Sequence, residues 1–266
     1  MPLTENQKQN IRNRIEKILN LDAKISEKRS DIIDGDTSPF LLSLFGLERM
    51  LMVKVGQSIQ TTMGMSFYEQ TCELLANEVG YEVTLQKKVK GFISPLIENY
   101  LQRLNKTEYS PNREKELSDI RRLSIDAQNH PDFGEYEYPD STVDVYIRTP
   151  SGKEILIDIT TVKCNKKDFR VLKEKTLRWS AYRMTHDQNI DIEAYFAIPY
   201  NPESSDNSSI TYNRFSSLYD RKDILVGDEL WAKVSNNNCS TNDLIDIFKE
   251  FGSRMEKEIN NSFEKI

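Results

Sequence analysis

The chain has 266 residues, of which 38% are hydrophobic, so it is long and apolar enough to bury a full core. It has no apolar run near the ~18 residues of a membrane span and no hydrophobic secretory signal, so we expect a cytoplasmic protein without membrane contact. Three scattered cysteines and two histidines argue against a disulfide framework, a zinc site or a histidine-based triad. Catalysis would therefore depend on carboxylates, lysines and a hard cation such as Mg²⁺.

The N-terminal region is predicted to be helical. Residues 4–20 carry isoleucines at helical spacing behind a capping box that starts at Thr4. The polar residues 21–37 are predicted to form a loop. The apolar run 40–59 predicts a buried helix, or a helix pair broken near Gly46, at the centre of a core.

Helices and short apolar strands follow one another in the rest of the chain. Ser66 is predicted to cap the first of these helices and Gly80 to end it. The predicted elements are helices 66–79, 94–105, 113–125, 167–185 and 228–233, strands 81–89, 143–148, 154–160 and 192–198, a short strand DILVG, and two C-terminal helices. This order predicts one α/β domain, a small mixed β-sheet flanked by helices, with extra N- and C-terminal helices. We divide the single domain 1–266 into a helical region at residues 1–60, a catalytic core at 61–200, and a recognition loop with C-terminal helices at 201–266.

Two aspartates lie on a predicted β-hairpin formed by strands 143–148 and 154–160. Asp144 is early in the first strand and Asp158 is late in the second, so the two carboxylates can meet at one end of the sheet. Both have apolar neighbours, which indicates buried strands. Adjacent carboxylates repel each other unless a cation or proton lies between them, and Mg²⁺ suits oxygen ligands. The alternative, in which each aspartate faces water at a strand end, stays open.

Four sequence segments carry a resemblance to a known family. They are GMSFYEQTCELLA, IDITTVKCNKKDFRVLKEKTLRW, FAIPYNP and DELWAKV. Together they resemble the TdeIII-type family of type II restriction endonucleases, within the PD-(D/E)xK nuclease superfamily, from about residue 40 to the C-terminus. The resemblance implies a restriction-endonuclease-like core and Mg²⁺-dependent cleavage of double-stranded DNA. It further implies 5′-phosphate products and a GC-rich, interrupted palindromic site.

The same resemblance assigns roles to particular residues. Asp144 and Asp158 would be the catalytic metal ligands, together with the main-chain carbonyl of Ile159. Glu69 matches a family glutamate on an early helix and would complete the metal environment. The catalytic lysine of the family's DxK motif falls at Thr160, whose hydroxyl cannot supply a positive charge.

Three explanations of the missing lysine stay open. Lys163 matches a second family lysine and could reach back into the site, although strand alternation points it to the face opposite Asp158. Lys90 could substitute for it. Alternatively, the enzyme is slow or inactive, and the chain is a catalytically impaired, nuclease-derived DNA-binding protein.

Basic residues cluster in two stretches that could line a phosphate-binding cleft, despite a net charge of −6. A solvated helix face is the alternative. The first stretch is Lys87, Lys88 and Lys90; the second is Lys163, Lys166, Lys167, Arg170, Lys173, Lys175, Arg178 and Arg183, beside Asn165. The loop 201–221 is the candidate base reader, with Asn201, Asn207, Asn213, Arg214 and Arg221. Trp179 and Trp231 are predicted to be core residues.

A palindromic DNA site is most simply read by a twofold-symmetric homodimer. We expect the N-terminal helices to form the dimer contact, and a cognate DNA methyltransferase to protect the host genome. The rival interpretation among enzymes is a repair or mobile-element nuclease with less sequence specificity.

Overall fold

The computed structural model describes residues 4–104, 110–160, 165–206 and 209–263. This chain divides into two compact units: one runs from Cys72 to Thr241, and the other combines the residues up to Thr71 with those from Asn242 onward. These limits differ from the predicted division at residues 60 and 200, and the single-domain organisation stays a prediction. No helix in the described part of the chain is long and apolar enough to cross a membrane.

The sheet unit contains a five-stranded mixed sheet with helices packed around it. Its strands are β1 (Glu82–Lys88), β2 (Thr142–Arg148), β3 (Glu154–Ile159), β4 (Ile192–Ile198) and β5 (Ile224–Val226). The spatial order follows the chain, with antiparallel pairing from β1 to β3 and parallel pairing from β3 to β5. The predicted α/β class with a small mixed sheet is therefore confirmed, and the predicted strands are present within two residues at each end.

The helices on this sheet are α6 (Pro95–Leu104), α7 (Arg113–Gln128), α8 (Lys166–His186) and α9 (Asp228–Val234). The longest of them, α8, begins at Asn165, whose side chain accepts hydrogen bonds from the main chain of the first turn. Trp179 on α8 and Trp231 on α9 are both buried, as predicted. The approach of α8 is close at Gly91, where an added Cβ would lie 2.4 Å from the Cα atom of Tyr182.

The helical unit holds most of the remaining helices. They are α1 (Glu5–Leu19), α2 (Leu21–Ile33), α3 (Pro39–Phe45) and α4 (Leu47–Thr62), together with most of α10 (Thr241–Phe263); α5 (Tyr68–Glu78) spans the boundary between the units. The predicted capping box of α1 is confirmed, because Thr4 and Gln7 exchange side chain-to-main chain hydrogen bonds.

Four predictions about the helices were wrong in part. Residues 21–37 were expected to form a loop, but α2 forms because its few apolar residues fall on one buried face. The run 40–59 is indeed a helix pair broken at Gly46, where φ is +76°, yet α3 buries none of its residues. Ser66 caps no helix, since it lies in a π-helical turn (Met63–Phe67) that joins α4 to α5. A single helix, α10, replaces the two expected at the C-terminus; it continues through Gly252, because a glycine inside a helix costs only about 1 kcal/mol.

Candidate active site

The hairpin register places Asp144 across from Asp158. Val145 pairs with Ile157, and one further step of this antiparallel register opposes the two aspartates on the same face of the sheet. The Asp144 carboxylate acts electrostatically on Asp158 and disfavours its ionised form. Asp144 also accepts a 2.8 Å hydrogen bond at Oδ2 from the main-chain N–H of Ile159. The two strands therefore present one acidic centre at the carboxyl end of β3.

Burial determines the electrostatics of this centre. Asp158 is 6% exposed, and Asp144 is half-buried. Burial, and then the neighbouring Asp144 carboxylate, raise the pKa of Asp158 to about 7, against the opposing influence of the Lys175 ammonium. Near neutral pH the pair consequently favours either a shared proton or a cation over two uncompensated negative charges.

The available oxygen ligands fit Mg²⁺. Within the described residues, no three His, Cys, Asp or Glu side chains gather closely enough to hold an ion. Mg²⁺ does not need three, because it is commonly bound by one or two protein carboxylates together with water and substrate phosphate oxygens. Asp144 and Asp158, with the carbonyl of Ile159, are a suitable set. Glu69 begins α5 in the helical unit, and its part in the metal environment stays a prediction.

A basic side chain that the sequence did not single out contacts the acidic centre. Lys175 of α8 donates from Nζ to Oδ1 of Asp158 at 2.8 Å. In the described part of the chain, it is the one basic side chain within 4.0 Å of either aspartate. A sequence signal existed, since Lys175 is spaced four residues from Trp179, on the face of the helix that packs inward. Its ion pair with Asp158 depends on tertiary packing.

The DxK position itself holds no charge. Thr160 is half-buried, lies two residues beyond Asp158, and donates its main-chain N–H to the carbonyl of Ala197 at 2.9 Å. The predicted replacement, Lys163, lies outside the described residues, and its role stays a prediction. Gln86, which the sequence did not indicate, donates to Oδ1 of Asp144 at 3.2 Å from a left-handed backbone conformation with φ +51°.

The structure divides the basic run of the post-hairpin helix into two groups. Lys166 and Lys167 are exposed at the start of α8, and Arg170 is half-buried. The four basic residues that follow turn inward and pair with carboxylates: Lys173 with Glu116 and Asp223, Lys175 with Asp158, Arg178 with Glu98 and Glu174, and Arg183 with Glu154. The first group is thus exposed for contact with the phosphates of a DNA backbone, whereas the second group is held in ion pairs within the sheet unit.

The other basic stretch lines an open pocket of about 290 Å³, together with Tyr146 and Arg148 of β2. Lys87 lies over the ring of Tyr146, 3.2 Å from its centroid, and burial lowers the pKa of this lysine. Tyr146 is two residues from Asp144 on β2, so their side chains point to the same face of the sheet, which the ammonium of Lys87 reaches at Tyr146. Lys88 pairs with Glu137, and Lys90 is exposed.

The remaining candidates differ in how much of their side chains is accessible. Asn165 uses its side-chain oxygen to cap α8. In the loop 201–221, Asn201 is fully buried and Arg221 is tied to Glu229, which leaves exposed Asn213 and half-buried Arg214 as the accessible members. Asn207 lies outside the described residues. The DNA contacts of Asn165, Asn213 and Arg214 stay predictions.

Comparisons with known proteins agree on one class of enzyme. The family model described as "Type II restriction endonuclease, HinfI" matches residues 3–252. The type II restriction enzyme MjaII of Methanocaldococcus jannaschii is 26% identical over 210 residues, which is 75% of this chain and 55% of that enzyme. HgiCII and HgiBI of Herpetosiphon aurantiacus, also type II restriction enzymes, are 24% and 26% identical over 237 and 240 residues, each covering 85% of this chain and 81% of the relative.

The chain thus spans about half the length of MjaII and most of the length of the two Herpetosiphon enzymes. No solved structure matches the chain significantly. The predicted class, a type II restriction endonuclease, is confirmed, whereas the TdeIII-type family in particular stays a prediction. Because the matching model covers nearly the whole sequence, the chain belongs to the HinfI family of type II restriction endonucleases.

Proposed function

We propose that the protein is a Mg²⁺-dependent, site-specific endonuclease that hydrolyses phosphodiester bonds of double-stranded DNA and leaves 5′-phosphates. The observation that carries the proposal is the pair formed by Asp144 and buried Asp158, which meet on two adjacent strands. Ionising a buried carboxylate beside a second one is costly unless a cation compensates the charge, so such a pair is a candidate metal site. The type II restriction enzymes among its relatives support DNA as the substrate.

In this proposal, Asp144, Asp158 and the carbonyl of Ile159 hold the ion. When bound there, Mg²⁺ lowers the pKa of a coordinated water and neutralises charge on the transferring phosphate. The protein side chains fix the position of this centre, because Asp144 is hydrogen-bonded to the main chain of β3 and Asp158 is packed beneath α8. The ion, and the scissile phosphate bound to it, would therefore be held in a fixed position.

Exposed basic residues on both sides of the centre would contact the neighbouring DNA phosphates. Lys88 ends β1 and Lys90 follows it, and Lys166 and Lys167 are exposed at the N-terminus of α8. Lys87 and Arg170 are half-buried beside them. Phosphate contacts of this kind supply affinity, and Asn213 with Arg214 would supply base contacts. We further propose a short, GC-rich interrupted palindrome as the site, in keeping with the sequence resemblance.

A palindromic site calls for two copies of the protein, and an apolar surface offers a place for the second copy. The exposed apolar side chains of α3 and the start of α4 form this surface: Phe40, Leu41, Leu44, Phe45 and Leu47. Phe40 is 84% exposed and Leu44 is 71% exposed, which is unusual for large apolar groups clustered on one short segment. We propose that this surface is the dimer contact.

The dimer contact is tested by measuring the mass of the protein in solution. Phe40→Asp combined with Leu44→Asp should convert a dimer to a monomer of 31.0 kDa in light scattering after size exclusion. Ile125→Asp, at an exposed apolar residue of α7, is the matched control and should leave the dimer intact. A parent protein that is already a monomer, bound to DNA or free, would contradict the dimer.

The proposed activity is tested by digesting a sequenced phage genome with the purified protein and MgCl₂. Discrete fragments with 5′-phosphate ends are expected, and Asp158→Ala should abolish them. Asp191→Ala, at an exposed carboxylate before β4, is the control and should cut like the parent. A smear of fragments would instead indicate an unspecific repair or mobile-element nuclease. A cognate methyltransferase gene beside this one would support the restriction role.

Thr160 supports a second candidate function, a DNA-binding protein that has lost catalysis. The threonine at the DxK position supplies no positive charge to the reaction. This candidate predicts a gel shift of genomic fragments at every Mg²⁺ concentration with no cleavage. The same digestion experiment therefore separates the two.

A further inference from the structure

The acidic centre has a cation beside it that comes from a helix rather than from the strand. The Nζ atom of Lys175 lies 2.8 Å from Oδ1 of Asp158, on the carboxylate that the DxK pattern would pair with a lysine two residues later. That later position is Thr160, the first residue after β3, where continued strand alternation would put it on the face of Asp158. A positive charge is thus present where the motif needs one, although it reaches the site from α8.

Packing holds this ammonium in place. Its Nζ lies 5.0 Å from the ring centroid of Trp179, one helical turn further along α8. Trp179 is fully buried and donates from its indole nitrogen to the carbonyl of Asp140 at 2.9 Å. The lysine side chain is 22% exposed, so its stem is covered while its end borders the site. A side chain fixed in this way needs little reorganisation before reaction.

A second ion pair between α8 and β3 shows what a purely structural contact looks like in this fold. Arg183 binds both oxygens of Glu154, at 2.8 and 2.9 Å, and the side chain of Glu154 is 1% exposed. Arg148 also donates to Oε1 of Glu154, at 3.4 Å, so both oxygens of this carboxylate are committed to arginines. Lys175 instead approaches Oδ1 of Asp158 with an ammonium that carries three donors, and a second acid, Asp144, lies next to the pair.

We infer that Lys175 is the catalytic cation of this nuclease, taking the role that the DxK lysine has in the pattern and that Thr160 cannot perform. The inference rests on the proposed function. Attack forms the bond from the water oxygen to phosphorus and breaks the bond from phosphorus to the 3′-oxygen. One water proton passes to solvent, and the departing 3′-oxygen takes a proton from solvent. Lys175 stays protonated throughout, orienting the water and stabilising the charge that develops on the phosphate oxygens.

The inference is tested with Lys175→Met, compared with a lysine of similar setting elsewhere. Lys233 of α9 pairs with Glu193 at 3.1 Å, on β4 and away from the acidic centre, so Lys233→Met is the matched control. The first measurement is single-turnover cleavage, with Mg²⁺, of a duplex that contains a mapped cleavage site. The second and third are binding of the same duplex in EDTA and in Ca²⁺, and thermal unfolding in EDTA.

Lys175→Met should cut about 10²–10³-fold more slowly, because it lacks one preorganised charge. Its dissociation constant for the duplex should stay within threefold of the parent value, and Lys233→Met should cut within threefold of the parent rate. Moving the charge back to the strand, in the double variant Thr160→Lys with Lys175→Met, should restore at least tenfold of the lost rate.

Lys175→Arg keeps a cation on Asp158 and protects the experiment against a variant that fails to fold. We expect it to fold and to cut at least tenfold more slowly, since a planar guanidinium has a different shape and reach. A mere counter-ion role predicts full activity for the arginine variant, and that result would overturn the inference. So would Lys175→Met cleaving within threefold of the parent. A parent protein that cuts no DNA refutes the proposed function itself, which is a different outcome.

Discussion

Removing the charge of Asp158 should stabilise the protein at alkaline pH, at the expense of its activity. Burial and Asp144 raise the pKa of Asp158 to about 7 in the folded protein, whereas an unfolded aspartate titrates near ~3.9. The folded state therefore disfavours the ionised form. The resulting cost to stability is negligible below about pH 4, grows as the pH rises, and is complete above about pH 7.

The magnitude follows from the two pKa values. A difference of about 3 units corresponds to a cost of about 4 kcal/mol at pH 8, and to roughly 1–2 kcal/mol at pH 5. Asp158→Asn removes this titration, so its free energy of unfolding relative to the parent should be about 2–3 kcal/mol more favourable at pH 8 than at pH 5. The pKa of about 7 already includes the attraction between Asp158 and Lys175, so the difference between the two pH values reports the net cost of the buried charge.

Thermal unfolding in EDTA, followed by circular dichroism at pH 5 and pH 8, measures this difference. For a unit of this size the melting temperature of the variant, relative to the parent, should rise by about 5–10 °C between the two conditions. Asp191→Asn, at an exposed carboxylate, should show no such rise. The reasoning fails if Asp158→Asn shifts the melting temperature equally at both pH values.

Three further changes test the packing around the sheet. Lys173→Met leaves the buried carboxylates of Glu116 and Asp223 without this cation and should cost about 3–5 kcal/mol in urea unfolding; a loss below about 1 kcal/mol would show that the cluster is not a structural ion network. Gly91→Ala places a Cβ 2.4 Å from the backbone of α8 and should cost about 1–3 kcal/mol, which unchanged urea stability would contradict. Burial would raise the pKa of Glu193, but two lysines hold it at about 2, so the ionised carboxylate contributes roughly 3 kcal/mol to folding stability. This contribution is present above pH ~4.3 and is lost as the pH falls towards 2. Glu193→Gln should therefore make the free energy of unfolding less dependent on pH in that window, and an unchanged pH dependence would refute the reasoning.

The sheet and the acidic pair could be predicted from the sequence because both depend on local patterns. Apolar runs with β-branched residues marked the strands, and the short connection between β2 and β3 fixed their register. Asp144 and Asp158 lie at matching distances from that turn, so their meeting follows from the chain itself.

The features that the sequence did not indicate depend on contacts between distant segments. Helix α2 is polar overall, and its helical pattern can be recognised only once it is known which of its residues are buried. Lys175 stood in a row of basic residues predicted to line a phosphate-binding cleft, and the direction of each side chain depends on how α8 is rotated against the sheet. Similarly, the apolar side chains of α3 predicted a core, although composition alone cannot distinguish a core from an exposed contact surface.

The reversal of strand direction at β3 has a consequence for how the sequence can vary. Since β3 and β4 run parallel, the chain must cross over the sheet between them, and α8 is that crossover. The helix that the topology requires thus also carries the ammonium of Lys175. The rotation of α8 about its own axis therefore has to be kept for Lys175 to face Asp158. One residue inserted between Lys166 and Lys175 would swing the ammonium by about 100° around the helix axis, away from Asp158, while leaving every strand intact.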